Sequence, residues 1–178
     1  MKMYSFSRTV ITTQMNTFWD KYRHSSKGWE HDPPAKLHPR IMFGSGPILT
    51  PEFVKQNNIT HVINCAEDTD SPKWFRQTYP DKYMCLYAED SLETDITKWF
   101  PQFKESMNNF LSERSSAIVY VHCQCGINRS AFLTLMYLCL KFQFPLENTV
   151  KSMLIQRPCS LTNPVFRIQV SEYIKKHQ

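Results

Sequence analysis

The chain has 178 residues, a net charge of +5, 42% hydrophobic residues and 12 Phe, 8 Tyr and 4 Trp, enough for one domain with a sizeable core, with or without an extension. No apolar run is long enough to cross a membrane, and the first residues lack the uninterrupted apolar region of a secretory signal. The six Cys follow neither a disulfide framework nor a zinc spacing, and Cys123-x-Cys125 has no second ligand pair nearby, so no metal or other cofactor is expected.

Residues 1–38 read as an N-terminal extension and 39–178 as the main domain. Thr12 to Arg23 is expected to be a helix with Met15, Phe18, Trp19 and Tyr22 in a stripe at three-four spacing. Ser25 to Pro39 is polar and interrupted by Gly28, Pro33, Pro34 and Pro39, as in a linker or extended arm. The stripe has two readings: packing onto its own domain, or a homodimer contact or substrate-rim element. Arg40 to Phe43 is expected to be a strand, followed by a turn at Gly44-Ser45-Gly46-Pro47. Thr50, Pro51 and Glu52 supply a cap, an N1 proline and an early acid for a helix ending near Asn57-Asn58. Ile59 to Cys65 reads as a strand, Glu67 to Pro80 as a variable loop and Lys82 to Ala88 as another strand. An acidic loop runs on to Asp95. Ile96, Trp99, Phe100, Phe103, Met107, Phe110 and Leu111 then recur at helical spacing, with Pro101 either starting or kinking the helix.

Ala117 to Val121 is apolar and β-branched, the pattern of a buried strand, and Ala131 to Leu140 suits a buried helix. Between them stands His122-Cys123-Gln124-Cys125-Gly126-Ile127-Asn128-Arg129-Ser130. A tight strand-to-helix loop turns its N–H groups inward, and the helix N-terminus adds partial positive charge, which together cradle a tetrahedral dianion. Arg129 offers the cradle two parallel charge-assisted hydrogen bonds. The same surroundings favour a thiolate at Cys123, since such sites lower a Cys pKa to roughly 3.5–7.5. Gly126 suits positive φ or close backbone approach. Ser130 is placed to hydrogen-bond the Cys123 sulfur as it leaves, and His122 to orient the loop. Gln124, Ile127 and Asn128 are expected to contribute backbone N–H groups, and Cys125 to fill the loop or take part in a reversible disulfide. Pro145 to Gln156 reads as a helix stopped by Arg157-Pro158, and Asn163-Pro164 starts the last helix. Strands alternating with helices give an α/β class with a central, mainly parallel twisted sheet flanked by helices, the site lying at the carboxyl ends of its strands.

His-Cys-x-x-Gly-x-x-Arg-Ser resembles the signature of the cysteine-dependent protein tyrosine phosphatases, and the short chain resembles their dual-specificity branch. Pro47 to Ala66 is also similar to the start of such domains. The resemblance implies hydrolysis of phosphotyrosine and phosphoserine or phosphothreonine in protein substrates, through a cysteinyl-phosphate intermediate. Phosphoryl transfer of this kind needs a proton for the leaving oxygen and then a base for water. Asp68, Asp70, Glu89, Asp90, Glu93 and Asp95 are candidates. Ala88-Glu89-Asp90 resembles the family's acid loop, which singles out Asp90; Asp95 is more simply a helix cap. Asn163 resembles the Asn that braces the family's phosphate loop, and it is also a helix cap. Asn128 before Arg129 is shared with some cysteine-dependent RNA 5′-triphosphatases, so an RNA 5′ end stands as the alternative substrate. A glycan on the Asn128 sequon would block the loop, which points to a reducing cytoplasmic or nuclear setting.

Overall fold

The computed structural model describes residues 18–178. Five strands, β1 (Ala35–His38), β2 (Ile41–Ser45), β3 (His61–Asn64), β4 (Tyr83–Cys85) and β5 (Val119–Cys123), form one sheet in the order β1-β2-β5-β3-β4. Only β1 pairs antiparallel; the other four strands are mutually parallel. The mainly parallel α/β sheet expected from the alternation of strand and helix patterns is therefore present. Six α-helices lie wholly within the described residues: α1 (Pro51–Gln56), α2 (Lys73–Thr78), α3 (Phe100–Glu113), α4 (Arg129–Phe142), α5 (Leu146–Gln156) and α6 (Pro164–His177).

Side chains of a strand alternate between the faces of its sheet. Ile41, Phe43, Ile63, Val119, Val121 and Cys123 join the larger core, built with α3, α4, α5 and α6. Met42, Val62 and Tyr120 join Leu49, Ile59 and Phe75 on the opposite face, where α1 and α2 lie. Helix α4 is buried without interruption from Ser130 to Cys139, which is why its sequence lacks a polar face.

Local signals place several helix ends. The Thr50 hydroxyl accepts from the Phe53 N–H at 3.1 Å to open α1. Asn163 Oδ1 accepts from the N–H groups of Val165 and Phe166 at 3.0 and 3.2 Å to open α6. Asp95 caps a 3-10 turn over Ile96–Trp99, and α3 proper begins at Phe100 with Pro101 in its first turn, so the proline starts the helix rather than kinking it.

Three expectations need correction. Residues 67–80, expected to be a loop, contain a 3-10 turn at Asp68–Asp70 and helix α2, whose Phe75 is buried in the smaller core. The last strand before the acidic loop is confined to Tyr83–Cys85: Tyr87 has φ +56, although Leu86, Tyr87 and Ala88 still donate to the carbonyls of Asn64, Ala66 and Cys65. Ala35–His38, expected to lie in an arm, is the antiparallel edge strand.

Residues 18–20 are helical, and Trp19 is fully buried against Phe132 of α4. Asp20 binds Arg167 of α6 at 2.8 and 3.2 Å, and the Tyr22 hydroxyl donates to Glu147 of α5 at 2.5 Å. Phe18, Trp19 and Tyr22 thus pack onto their own chain, and nothing in their surroundings supports a homodimer through this stripe. Met15 lies outside the described residues.

Candidate active site

The carboxyl ends of β2, β5, β3 and β4 deliver four chain segments to one edge of the sheet. From Cys123, the last residue of β5, the chain runs to Asn128 before α4 begins at Arg129. Each carbonyl in that run is taken by a donor outside the loop. Gly46 N–H donates to Cys123 O and Gln124 O at 3.1 and 3.2 Å, Leu161 N–H to Ile127 O at 2.7 Å, and Phe132 N–H to Asn128 O at 2.8 Å. Cys125 O and Gly126 O accept from the Arg157 guanidinium at 2.7 and 2.8 Å. With the oxygens turned outward, the loop's N–H groups from Gln124 to Arg129 have no protein acceptor among the described residues. They form a concave array at the start of a 14-residue helix, an arrangement that binds tetrahedral anions.

Cys123 is buried at the start of this array, its Sγ 3.3 Å from Ser130 Oγ. His122 is fully buried, and burial pushes its imidazole down to about 4, so it is neutral at pH 7. Its Nδ1 lies 2.9 Å from Cys123 O and its Nε2 3.0 Å from Ser71 Oγ. A carbonyl can only accept, so Nδ1 carries the proton and Nε2 accepts from the serine hydroxyl. His122 thereby fixes the entry to the loop. Arg129 Nη1 donates to Ala88 O at 3.1 Å, while its Nε is buried without a protein acceptor among the described residues, leaving donor capacity for an oxyanion.

Asp90 reaches the same edge. Its Oδ2 accepts from Asn128 Nδ2 at 3.1 Å and its Oδ1 from Asn163 Nδ2 at 3.0 Å. The carboxylate is exposed, yet held by two amides, one on the loop after β5 and one at the start of α6.

Residues 41–176 match the family model described as "Dual specificity phosphatase, catalytic domain". The chain belongs to this family. It is 33% identical over 134 residues to MAP kinase phosphatase with leucine-rich repeats protein 2 of Dictyostelium discoideum, covering 71% of this chain and 17% of that protein. Dual specificity protein phosphatase 4 of Gallus gallus is 30% identical over 134 residues, 75% of this chain and 34% of that one. The chain therefore spans well under half the length of these relatives. The crystal structure of human tyrosine phosphatase-like serine/threonine/tyrosine-interacting protein superposes with a TM-score of 0.69 at 23% identity, covering 82% of this chain and 98% of that one, a likeness of fold.

In this dual specificity phosphatase domain, three of the other candidate acids, Asp68, Asp70 and Asp95, have structural partners, and Glu89 and Glu93 are exposed. Asp68 accepts from the hydroxyls of Tyr83 and Tyr87 at 2.9 and 2.7 Å. Asp70 closes a capping box with Glu67, and Asp95 accepts from Thr97 N–H at 3.1 Å. Cys125 is half-buried, and burial pushes its thiol up, which lowers its reactivity in disulfide exchange. All six cysteines are free thiols.

Two features of the domain escape a reading of the sequence. Arg157, read only as the end of α5, is fully buried, and its guanidinium also donates to the carbonyls of Trp29, Asp32 and Pro33. One side chain therefore ties the loop after β5 to the N-terminal arm. The Asn128 side chain, expected to be idle, bridges Asp90 to the segment before α6, its Oδ1 accepting from the N–H groups of Thr162 and Asn163, both at 2.9 Å. The resemblance could flag the Arg-Pro segment, but no spacing in the sequence reveals which carbonyls its arginine meets.

Proposed function

We propose that this domain is a cysteine-dependent protein phosphatase acting on phosphotyrosine and on phosphoserine or phosphothreonine. The observation that carries the reading is the phosphate loop, with its carbonyls tied outward, its N–H groups free and Cys123 at its floor. The phosphoryl oxygens of a substrate bind the N–H array and Arg129. The Cys123 thiolate attacks phosphorus, the P–O ester bond breaks, and Asp90 gives its proton to the leaving oxygen. Water then attacks the phosphocysteine and gives a proton to Asp90, and the thiolate leaves with a hydrogen bond from Ser130. The sum is phosphoester and water to alcohol and phosphate. Asn128 and Asn163 keep Asp90 over the loop in both steps. The six free thiols favour a reducing setting, cytoplasmic or nuclear.

Turnover of matched phosphopeptides beside triphosphorylated RNA tests this reading. The expected result is phosphate release from the peptides, lost in Cys123→Ser, with a covalent phosphoenzyme trapped by acid quench in the wild type only. Asp90→Asn is expected to slow phosphoserine peptides by ~10²–10⁴-fold, the usual size of a general-acid effect. A pyrophosphate leaving group is already stable as an anion and needs that proton far less. Feeble peptide turnover indifferent to Asp90→Asn, beside brisk γ-phosphate release from RNA, would replace the protein substrate with an RNA 5′ end.

A further inference from the structure

Beside the phosphate loop lies a cleft of about 540 Å³ that none of the steps above uses. It is lined by Trp29, from the N-terminal arm, Trp74, from α2, and Gln124, from the loop that follows β5. Among the described residues, Asp70 is the only charged one lining it. Both walls are fixed in place. Trp29 O accepts from Arg157, the same guanidinium that holds Cys125 O and Gly126 O, and Trp74 Nε1 donates to Leu49 O at 2.9 Å. The next residue after Asp70 is Ser71, whose hydroxyl meets His122 at 3.0 Å, one residue before Cys123. At Gly46, which also binds the carbonyls of Cys123 and Gln124, a Cβ would fall on Asp70 O, so the three segments abut.

A lone carboxylate at the rim of a site for a phosphate dianion opposes the substrate it flanks. Burial first, then the neighbouring Cys123 and the negative charge of Asp70, push up the thiol of Cys125, inside the loop. That repulsion is offset when the substrate carries a cation next to its phosphate. Two half-buried tryptophans lining the same cleft as a carboxylate suit an ammonium or guanidinium on an aliphatic stem, through cation–π attraction, an ion pair and apolar contact with the stem. A second phosphate or an acidic side chain at the same place meets only repulsion.

We propose that this cleft receives a lysine or arginine side chain adjacent to the phosphorylated residue of a peptide, with Asp70 as its charge partner and Trp29 and Trp74 as its walls. The assignment rests on the phosphatase reading for its phosphopeptide, and selects among such peptides for a basic flank and against an acidic or doubly phosphorylated one.

The test compares kcat/KM for phosphopeptides differing only in Arg, Ala or Glu on either side of the phosphoresidue, at low ionic strength. An exposed ion pair together with a cation–π contact leads to an Arg-over-Glu preference of about 10-fold. Asp70→Asn keeps an acceptor for the Glu67 N–H and so preserves the capping box, and it is expected to bring the ratio most of the way to unity. Asp70→Lys is expected to invert it. Trp29→Ala keeps the main-chain carbonyl used by Arg157 and is expected to reduce it. Equal rates for the Arg and Glu peptides in the wild type, or a preference that survives in Asp70→Asn and Asp70→Lys alike, would overturn the subsite. If no peptide is hydrolysed, the phosphatase reading fails. The same peptides titrated against Cys123→Ser by tryptophan fluorescence then decide the subsite separately. Tighter binding of the Arg peptide, abolished by adding Asp70→Lys, retains it, and equal affinities dismiss it.

Discussion

Gly126 has two separate reasons to be glycine. Its φ of +64 costs an L-residue roughly 1–2 kcal/mol, and a Cβ there would strike the main chain of Gly44 and Ser45 on β2. Because the obstacle is the hydrogen-bonded backbone of an interior strand, the loop has to move instead. Displacement by about 1 Å is enough to cost ~10²-fold in rate, so Gly126→Ala is expected to lose at least that in kcat/KM while remaining folded by circular dichroism. Arg157 acts on the same loop from behind. Arg157→Lys keeps the charge but not the planar fork that meets Cys125 O and Gly126 O together. Losing one charged hydrogen bond, about 1.5–3 kcal/mol, is expected to raise the inhibition constant of vanadate by ~10-fold or more, measured as competitive inhibition; an unchanged constant would mean that the loop holds its shape without the fork. Asn163 separates positioning from folding. Asn163→Asp retains the Oδ1 acceptor that caps α6, but it loses the Nδ2–H donor to Asp90 and sets a second carboxylate beside it. The expected outcome is a melting temperature close to wild type, with phosphoserine turnover reduced more than that of aryl phosphates, whose leaving groups need less help from the acid.

The element that organises the molecule is β5–loop–α4, and it was legible because everything it needs lies within about 25 consecutive residues: an apolar strand, a spaced Cys, Gly and Arg, and an apolar helix. Thr50 and Asn163 were legible for the same reason, since a cap bonds to N–H groups two or three residues away. Helix α2 was not. Its six residues are too few to show a helical period, and only the far face of the sheet, which receives Phe75, explains why it folds. Arg157 and the Asn128–Asp90–Asn163 bridge were illegible as contacts because their partners stand far away in sequence. The helical residues 18–20 are an intermediate case. The aromatic stripe was evident, but what covers it was not, and Trp19 turns out to be sealed between its own chain's α4 and α6, with Phe132 at one side and the Arg167 guanidinium at the other. Trp19→Ala is therefore expected to behave as a core truncation, costing about 3–5 kcal/mol in urea unfolding, with no change of mass in solution. A change of oligomeric state with stability intact would instead restore the stripe as an interface.

At the scale of the whole molecule, two buried histidines and a half-buried one set the response to acid. Burial depresses the imidazoles of His122, His61 and His38 below their ordinary value, His122 to about 4. For each, the unfolded chain binds a proton at a higher pH than the folded one. Stability is then fully present above about 6.5, the unperturbed histidine value, and is lost as pH falls through the folded value, because protons drain the population toward the unfolded state. His122 alone, with a difference of about 2.5 units at 1.36 kcal/mol each, contributes on the order of 3 kcal/mol across that window. Carboxylates act in the same direction lower down. Burial would raise Asp32, but hydrogen bonds from Ser26 Oγ, Lys27 N–H and Cys159 N–H outweigh it and hold the carboxyl below its usual range, so its contribution disappears only below pH 4. The protein is accordingly expected to lose stability in two stages on acidification, the first between pH 6.5 and 4 from histidine. The diagnostic is His122→Asn, which has no proton to take up. It is expected to be less stable than wild type at pH 7.5, since it disturbs the bonds to Cys123 O and Ser71 Oγ, but the gap between the two proteins in urea unfolding should narrow by about 2–3 kcal/mol as pH falls to 4.5. Parallel stability curves over that range would show that His122 takes up its proton in the folded state as readily as in the unfolded one, and would shift the source of the acid response to His61 and His38.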